Sequence, residues 1–373
     1  MKQINGQHII QLFEEFSPKQ YALEGDPIGL QIGTLNKPVK KIMIALDVLE
    51  EVVDEAIAED VDLIIAHHPL IYRPLKTINT ETTYGRILEK LMTHQVTVYA
   101  AHTNLDVAVG GVNDLLAEAL QLRETKVFVP TFEVPLKKLF VFVPEKDAVH
   151  VRNAVGDAGA GAIGNYSHCS FSSQGVGSFR PGEESNPHIG EHGKQEFVDE
   201  VKIECIFPET IEKKVIKAMI RAHPYEEVAY DVIRLDNESH DKLGLGRIGY
   251  LDNEMTLREF AEHVKQTLSV NHVRVTGELD NIVKKVAVLG GDGNKYMRSA
   301  VFQGADVYVT GDIYYHVAHD AMMEGLNLVD PGHNVEKIMK DGVKKRLDKM
   351  FKEKGLDVEV IASKVNTDPF QFV

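Results

Sequence analysis

Short apolar runs alternate with helix-like segments along the first part of the chain. Apolar runs at 40–48 (KKIMIALDV) and 62–66 flank residues 50–59, which have the spacing of a helix. Nearly continuous apolar runs of this length are typical of buried strands in a parallel sheet, so this order predicts a βαβ unit. A helix at 83–94 and a strand at 96–101 extend the alternation. The pattern predicts an α/β fold.

The last third of the chain repeats this plan. Predicted strands at 284–289, 305–310 and 326–329 each run into glycine or aspartate residues. Aligned with the first part, KKIMIALD matches KKVAVLGGD, DLIIAHH matches ADVYVTGD, and VTVYAAHTNLD matches LNLVDPGHNVE. An internal match of this kind indicates the duplication of a structural unit. We therefore predict two pseudo-repeated α/β halves around a shared cleft.

The middle of the chain has a different pattern. Predicted strands and helices alternate there, at 136–143, 147–158, 201–206, 210–222 and 228–235. Together with a Gly- and Ser-rich stretch of hairpin character, this order predicts an inserted ferredoxin-like α+β domain. Turn residues and charges interrupt the pattern near Lys126 and Asp241. The predicted domains are a first α/β half at 1–126, an inserted domain at 127–240 and a second α/β half at 241–373.

The composition narrows the class of protein. Of 373 residues, 43% are hydrophobic, but no apolar run approaches the roughly 20 residues that span a bilayer. The chain does not open with a basic and apolar secretory signal. Its two cysteines, Cys169 and Cys205, are too few for a disulfide framework. These features predict a cytoplasmic protein without a membrane segment.

The charge of the chain bears on its partners. A formal net charge of -15 argues against general nucleic-acid binding, because phosphate binding depends on clustered Lys and Arg. An anionic substrate would need local positive charge, and a bound cation is the obvious source.

Two adjacent histidines, His67 and His68, end the strand predicted at 62–66. Neighbouring strand side chains point to opposite faces, so such a pair suits two ions, one each, better than it chelates one ion. The spacing therefore favours a dinuclear site. The alternative is a strand end capped by two solvated histidines.

His102 and Asp106 follow the next predicted strand and should emerge at the same edge of the sheet. Asp106 would be a hard anionic ligand, or instead a turn or N-cap residue before the Gly-rich loop. His102 would orient a ligand or contact the substrate, which makes it a candidate catalytic residue.

In the second half, His333 and Glu336 are spaced i, i+3 at the start of a helix predicted at 334–349. This spacing places both side chains on one face, where the carboxylate could bridge two ions. Glu336 could instead be a first-turn acid favoured by the helix dipole. With His67, His68 and Asp106, these residues form a mixed nitrogen and oxygen ligand set. Such a set suits Zn²⁺, Fe²⁺, Mn²⁺ or Co²⁺ better than Ca²⁺ or Mg²⁺.

Two further polar residues follow the strand predicted at 305–310. Asp312 is predicted to bind substrate, and His316 to contact substrate or act as a general acid. The alternative for His316 is a surface histidine at the start of a Tyr-rich helix. The turn Gly290-Gly291-Asp292-Gly293 could bring backbone amides close to a phosphate, or could be only a turn.

Several of these motifs resemble one protein family. The segments AHHPLIY, HTNLDVAVGGVND, VYVTGDIYYHVAHDA, DPGHNVEK and TDPF are similar to the GTP cyclohydrolase 1 type 2 homolog family, also called the Nif-three-like proteins. The similarity covers about residues 1–125 and 240–373. It implies a dinuclear metal site with ligands at His67, His68, Asp106, His333 and Glu336. The middle segment resembles the PII-like or CutA-like domains of longer members. The resemblance also implies toroidal homohexamers with interior metal sites.

Three classes of function agree with these observations. The first is a metal-dependent hydrolase in which metal-activated water attacks a small-molecule substrate such as a purine nucleotide, with C8 of guanine as the target in GTP. The second is a regulatory or ligand-sensing protein that acts through the PII-like domain. The third is a metal chaperone or store.

Overall fold

A computed structural model describes residues 4–237 and 242–373. The chain forms two compact units. Unit 1 joins Met1–Phe132 to Leu243–Val373, and unit 2 is Glu133–Lys242. Within the described residues, no helix combines the length and the apolar character needed to cross a membrane.

The first sheet of unit 1 has five strands in the order β1-β4-β3-β2-β15. These strands are β1 (Gly29–Ile32), β2 (Lys41–Ala45), β3 (Leu63–Ala66), β4 (Thr97–Ala100) and β15 (Glu359–Ala362). The neighbours from β15 to β4 are parallel, and β1 pairs with β4 in the antiparallel direction. All residues of β3 and β4 are buried, so helices must cover both faces of the sheet.

The helices of this half lie on opposite faces of the sheet. They are α1 (Gly6–Phe16), α2 (Glu50–Ala58), α3 (Thr83–Thr93), α4 (Thr103–Val107), α5 (Val112–Ala119) and, near the carboxyl terminus, α11 (Ile338–Lys354). Ile42 and Ile44 of β2 belong to one apolar core with α1. Met43 and Ala45, which alternate with them, belong to a second core with α2 and α3.

The second sheet of unit 1 has six strands in the order β11-β14-β13-β12-β10-β5. These strands are β5 (Arg123–Glu133), β10 (Lys242–Thr256), β11 (Arg274–Thr276), β12 (Ile282–Asp292), β13 (Val307–Gly311) and β14 (Asn327–Asp330). Its helices are α8 (Leu257–Thr267), α9 (Met297–Phe302) and α10 (Tyr315–Met323). The neighbours β12, β13 and β14 are parallel, whereas β10 and β11 are antiparallel to their partners β12 and β14.

Unit 2 is built from one antiparallel sheet and two helices. Its elements are β6 (Leu136–Pro144), α6 (Ala148–Asp157), β7 (Phe171–Phe179), β8 (Glu196–Pro208), α7 (Glu212–Ala222) and β9 (Tyr230–Arg234). The strand order is β7-β8-β6-β9. Val141 of β6 and Ile203 of β8 pack with Val151 of α6 and Met219 of α7, so both helices cover the same face.

The α/β class is confirmed, and most predicted strands of unit 1 lie within two or three residues of the observed ones. The edge strands β1, β5, β11 and β15 and the inner strand β10 were not predicted, because edge strands and a strand interrupted by glycines lack the continuous apolar run of a buried parallel strand. The boundary predicted after residue 126 lies within β5, and the chain changes unit between Phe132 and Glu133. The boundary predicted between residues 240 and 241 lies outside the described residues.

Candidate metal centre

Four histidines and two carboxylates meet where strands of both sheets of unit 1 end. His67 and His68 directly follow β3, His102 comes two residues after β4, and Asp106 lies in α4. His333 and Glu336 lie in a 3₁₀ turn, His333–Lys337, after β14. The six side chains form three overlapping groups of three, each with its ligand atoms within 4.8 Å of one another. The groups are His67–His68–His102, His68–His333–Glu336 and His67–Asp106–Glu336.

The turn that carries Glu336 differs from the predicted α-helix. The α-helix begins only at Ile338, and the predicted start at residue 334 is wrong. A 3₁₀ turn has 3.0 residues per turn, so residues at i and i+3 lie directly above one another. His333 and Glu336 therefore share a face, as their spacing predicts.

Glu336 lies at the middle of the centre. Its carboxylate oxygen Oε2 is 3.1 Å from Nε2 of His68, 3.2 Å from Nε2 of His333 and 3.7 Å from Nε2 of His67. The residue is only 3% exposed. A single buried carboxylate oxygen therefore lies within reach of imidazoles that follow strands of both sheets.

Two buried atoms of the centre lack a hydrogen-bond partner among the described residues. They are Nε2 of His67 and Oδ1 of Asp106, which lie 3.7 Å apart. An unpaired buried polar atom is costly, and a cation held between an imidazole nitrogen and a carboxylate would satisfy both atoms. These residues could therefore hold a metal ion.

The outer nitrogen of every histidine in the centre has an acceptor. Nδ1 of His67 donates to the carbonyl oxygen of Ala101 at 3.0 Å. The other three Nδ1 atoms contact carboxylates: His68 with Asp47 at 2.6 Å, His102 with Asp26 at 2.8 Å and His333 with Asp312 at 2.7 Å. A proton on Nδ1 leaves the Nε2 lone pair free for a metal, so the four contacts select the ligand tautomer.

The electrostatics of the centre are those of a site built for positive charge. Burial alone would lower the pKa of His68, but its hydrogen bonds to Asp47 and Glu336 outweigh burial and raise the pKa to about 10. The hydrogen bond to Glu336 raises the pKa of His333 to about 9, against the effect of burial. Burial raises the pKa of the Asp106 carboxyl to about 6. Burial would also raise the pKa of Glu336, but His67 and the other imidazoles hold it well below its usual value.

Glycines make room for the central carboxylate. A Cβ atom at Gly291 would lie 2.8 Å from Oε1 of Glu336, and one at Gly290 would lie 3.0 Å from it. Asn113 of α5 accepts a hydrogen bond from the amide of Gly290 and donates one to the carbonyl oxygen of Asp106. The absence of side chains at Gly290 and Gly291 thus leaves space for the carboxylate of Glu336. The rest of this motif is a turn in which Asp292 accepts from the amide of Asn294.

Of the remaining predicted site residues, one lies in the centre, one lies beside it and one lies on the surface. His102 lies in the centre, with ring centroids 5.2 Å from His67 and 5.7 Å from His68. Asp312 contacts Nδ1 of His333, so one of its oxygens orients the His333 ring. His316 is exposed on α10, and its ring contact is with Tyr315 at 5.3 Å. In the described part of the chain, no contact joins His316 to the centre.

Sequence reasoning missed Asp26, Asp47 and Asn113. Asp47 had a signal, because it closely follows β2, in a segment whose sequence matches KKVAVLGGD in the second half. Asp26 lies in an irregular segment 76 positions before its partner His102, and Asn113 contacts Gly290 across 177 positions. Contacts between residues so far apart along the chain leave no local pattern in the sequence.

The chain was compared with known proteins. A family model described as Duf34/NIF3 (NGG1p interacting factor 3) matches residues 4–369. A protein of Bacillus subtilis (strain 168) named GTP cyclohydrolase 1 type 2 homolog is 62% identical over 372 residues, covering 100% of both chains. A protein of the same name from Staphylococcus aureus (strain MSSA476) is 38% identical over 365 residues, covering 98% of this chain and 99% of the relative.

Solved structures agree with this result. The crystal structure of a Bacillus cereus protein related to NIF3 matches with a TM-score of 0.91 and 62% identity, covering 100% of both chains. A Staphylococcus aureus protein matches with a TM-score of 0.76 and 34% identity, again over 100% of both chains. The chain belongs to the Duf34/NIF3 family, which confirms the resemblance of its motifs.

Proposed function

We propose that the centre in unit 1 binds two divalent transition-metal ions and that the protein is a metal-dependent hydrolase. The observation that carries the proposal is the sharing of Glu336 by two ligand groups, one with His67 and Asp106 and one with His68 and His333. A carboxylate shared in this way is the arrangement that two-ion sites use. The nitrogen and oxygen donors favour zinc, iron, manganese or cobalt.

The reaction class follows from what such a centre supplies. Two bound ions would lower the pKa of a coordinated water and provide a hydroxide nucleophile near neutral pH. The chain's own contribution is to hold four Nε2 atoms toward the centre, through acceptors on every Nδ1. His102 is proposed as a catalytic group, because it borders His67 and His68. His316 is proposed only for contact with a substrate that reaches α10.

We propose a purine nucleotide as substrate. In GTP, one water would open the imidazole ring at C8 to a formamide, and a second water would cleave that formamide to formate and an amine on the base. The support is the name of the relatives, GTP cyclohydrolase 1 type 2 homolog, together with the centre. Asp312 is proposed to contact the substrate through the oxygen that does not bind His333. A cationic centre would attract an anionic nucleotide despite the net charge of -15.

The duplication of unit 1 is proposed from matching contacts. Oδ2 of Asp62 accepts from the amides of Lys40 and Lys41 at 2.7 and 3.1 Å. Oδ2 of Asp306 accepts from the amides of Lys284 and Lys285 at 2.9 and 2.7 Å. The parallel orders β2-β3-β4 and β12-β13-β14 also correspond. These equivalences support two pseudo-repeated halves, each with one set of ligands.

The remaining proposals concern the fold of unit 2, two alternative functions and the assembly. The order β6-α6-β7-β8-α7-β9 and the strand arrangement of unit 2 support a ferredoxin-like insert of the PII-like or CutA-like kind. A cavity lined by residues of unit 2 alone favours a regulatory, ligand-sensing role for it. A metal chaperone or store is the third possibility. Assembly into a homohexamer is proposed from family resemblance.

The test combines metal analysis with formate release. The purified protein, loaded with zinc, iron, manganese or cobalt, is expected to release formate from GTP slowly, and chelation is expected to stop the reaction. His67→Ala should abolish activity and lower metal content, whereas His150→Ala, on α6 of unit 2, should leave both unchanged. A metal-loaded protein that releases no formate with any of these metals contradicts the hydrolase proposal. Normal metal content would then favour the chaperone or regulatory alternative.

A further inference from the structure

Unit 2 contains a cavity of about 670 Å³, which is the size of small-molecule sites. It lies on the face of the sheet that the two helices leave open, because Phe142 and Glu200 line it and alternate with the core residues Val141 and Val201. The connection between β7 and β8 closes one side of it. There the amide of Asn186 donates to Glu226 at 2.7 Å, and the amide of Gly193 donates to the carbonyl oxygen of Pro181 at 2.8 Å.

The charged group that defines the cavity is Glu200, which is only 9% exposed. Its Oε1 accepts a hydrogen bond from the Tyr225 hydroxyl at 3.1 Å. No described residue donates to Oε2, and no described Lys or Arg forms an ion pair with Glu200. A buried carboxylate with a single neutral donor lacks the positive partner that a buried charge requires.

The neighbouring cations do not supply that partner. Lys202, the next residue on the same face of β8, pairs with Glu204 at 2.7 Å. Arg180 lines the cavity but is exposed, so water screens its charge. Glu226 and Glu227 add two more carboxylates to the lining. The charge of the cavity lining is therefore negative.

Aromatic side chains line the same cavity, and one of them, Tyr225, contacts this carboxylate. The rings of Phe179 and Tyr225 lie edge to face with centroids 5.8 Å apart, and the His188 ring lies 6.2 Å from Tyr225. Phe142 lines the same cavity. Aromatic faces attract cations, and flat rings also bind an apolar body by contact. Burial, followed by the charge of Glu200, raises the pKa of the Tyr225 hydroxyl, so Tyr225 stays a hydrogen-bond donor.

Two glycines of β7 open the space above the carboxylate. A Cβ atom at Gly177 would lie 2.2 Å from Oε2 of Glu200, so any other residue would displace the carboxylate. A Cβ atom at Gly175, which also lines the cavity, would meet nothing within 4 Å. The strand thus leaves Oε2 accessible from the cavity.

We propose that unit 2 binds a small organic cation, an amine carried on an aromatic or apolar body, with its nitrogen at Glu200 and its body against Phe142, Phe179 and Tyr225. Nothing in this proposal depends on hydrolysis in unit 1. The proposal names the chemical class of the ligand that unit 2 would sense.

The test uses three probes that share one apolar body and differ in charge. These are phenethylamine, which is protonated at neutral pH, 2-phenylethanol, which is neutral, and 3-phenylpropanoate, which is an anion. Binding to the full-length protein is measured by calorimetry and by saturation-transfer NMR. Phenethylamine should bind at least about tenfold more tightly than the alcohol, as expected for a hydrogen bond to a charged group, and the anion should not bind.

Variants locate the site. Glu200→Gln keeps the shape of the side chain and an acceptor for Tyr225, and should weaken phenethylamine binding about tenfold without affecting the alcohol. Glu212→Gln, at the start of α7 and outside the cavity, should bind like the unchanged protein. If Glu200→Gln does not fold, Gly175→Leu serves instead, because its side chain enters open space in the cavity and should block both the amine and the alcohol. Metal content, measured on each sample, should stay unchanged.

Four results would overturn the proposal. The first is equal binding of the amine and the alcohol, and the second is preferential binding of the anion, which would assign recognition to Arg180. The third is full phenethylamine binding by Glu200→Gln or Gly175→Leu. Absence of binding by every probe at millimolar concentration would count equally against it.

Discussion

Both units bury a glutamate, but they surround it with different groups. Glu336 of unit 1 has imidazole nitrogens of His68 and His333 within 3.2 Å, and its neighbours have unpaired atoms of their own. Glu200 of unit 2 has one hydroxyl and several aromatic rings. The first environment offers many lone pairs to a small metal cation. The second offers one charge and a large apolar surface. A buried carboxylate by itself therefore does not identify the class of ligand. The side chains around it do.

The largest effect is expected when the central carboxylate of unit 1 loses its charge. Glu336→Gln should reduce the metal content from about two ions per chain toward none, because both ligand groups share this residue. Elemental analysis measures this directly. Glu200→Gln is the matched control in unit 2 and should keep its metal. Full metal content in Glu336→Gln would remove Glu336 from the ligand set.

The second prediction separates the two units. Replacing Glu133–Lys242 with a short flexible linker should leave a folded unit 1 that binds metal, because all six residues of the centre belong to unit 1. The shortened protein should not bind phenethylamine. Circular dichroism, elemental analysis and calorimetry test the fold and the two sites. A folded but metal-free product would show that unit 2 shapes the centre and that the sites are not independent.

A smaller effect is expected from the carboxylates that orient the histidines. Asp47→Asn should lower metal affinity by about 10- to 100-fold, because it weakens the contact that holds Nδ1 of the proposed ligand His68. Asp312→Asn should act similarly through His333. Competition with a chromogenic chelator measures the affinity. Asp231→Asn, on β9 of unit 2, is the control. An unchanged affinity in Asp47→Asn would remove His68 from the ligand set.

The smallest effect concerns the space around Glu336. Gly291 and Gly304 have similar backbone angles, with φ of 64° and 67°, but a Cβ atom at Gly304 would meet nothing within 4 Å. Alanine at either position should lower the free energy of unfolding by about 1–2 kcal/mol through backbone strain. Only Gly291→Ala should also weaken metal binding. Denaturant titration and chelator competition distinguish the two effects. Equal metal affinity in both variants would show that Gly291 is needed for its backbone conformation and not for the space around Glu336.

Much of the metal centre could be predicted from short-range patterns. Apolar runs predicted β3, β4 and β14, and the carboxyl ends of parallel strands meet at one edge of a sheet. His67, His68, Asp106, His333 and Glu336 were candidates for this reason, and the structure brings them together. The roles of Asp312 and His316 were harder to predict, because α10 directs His316 to the surface while Asp312 contacts His333.

The sequence by itself determined the alternation of strands and helices, the strand-end residues and the family, because each is encoded in residues close together in the chain. Only the tertiary structure decided which nitrogen of each histidine faces the centre, since Asp26 and Asp47 approach His102 and His68 from other segments. It alone decided that Glu200 borders a cavity, because that depends on missing side chains at Gly175 and Gly177 on a neighbouring strand. Local patterns record periodicity and burial, whereas these contacts depend on distances that only the folded chain defines.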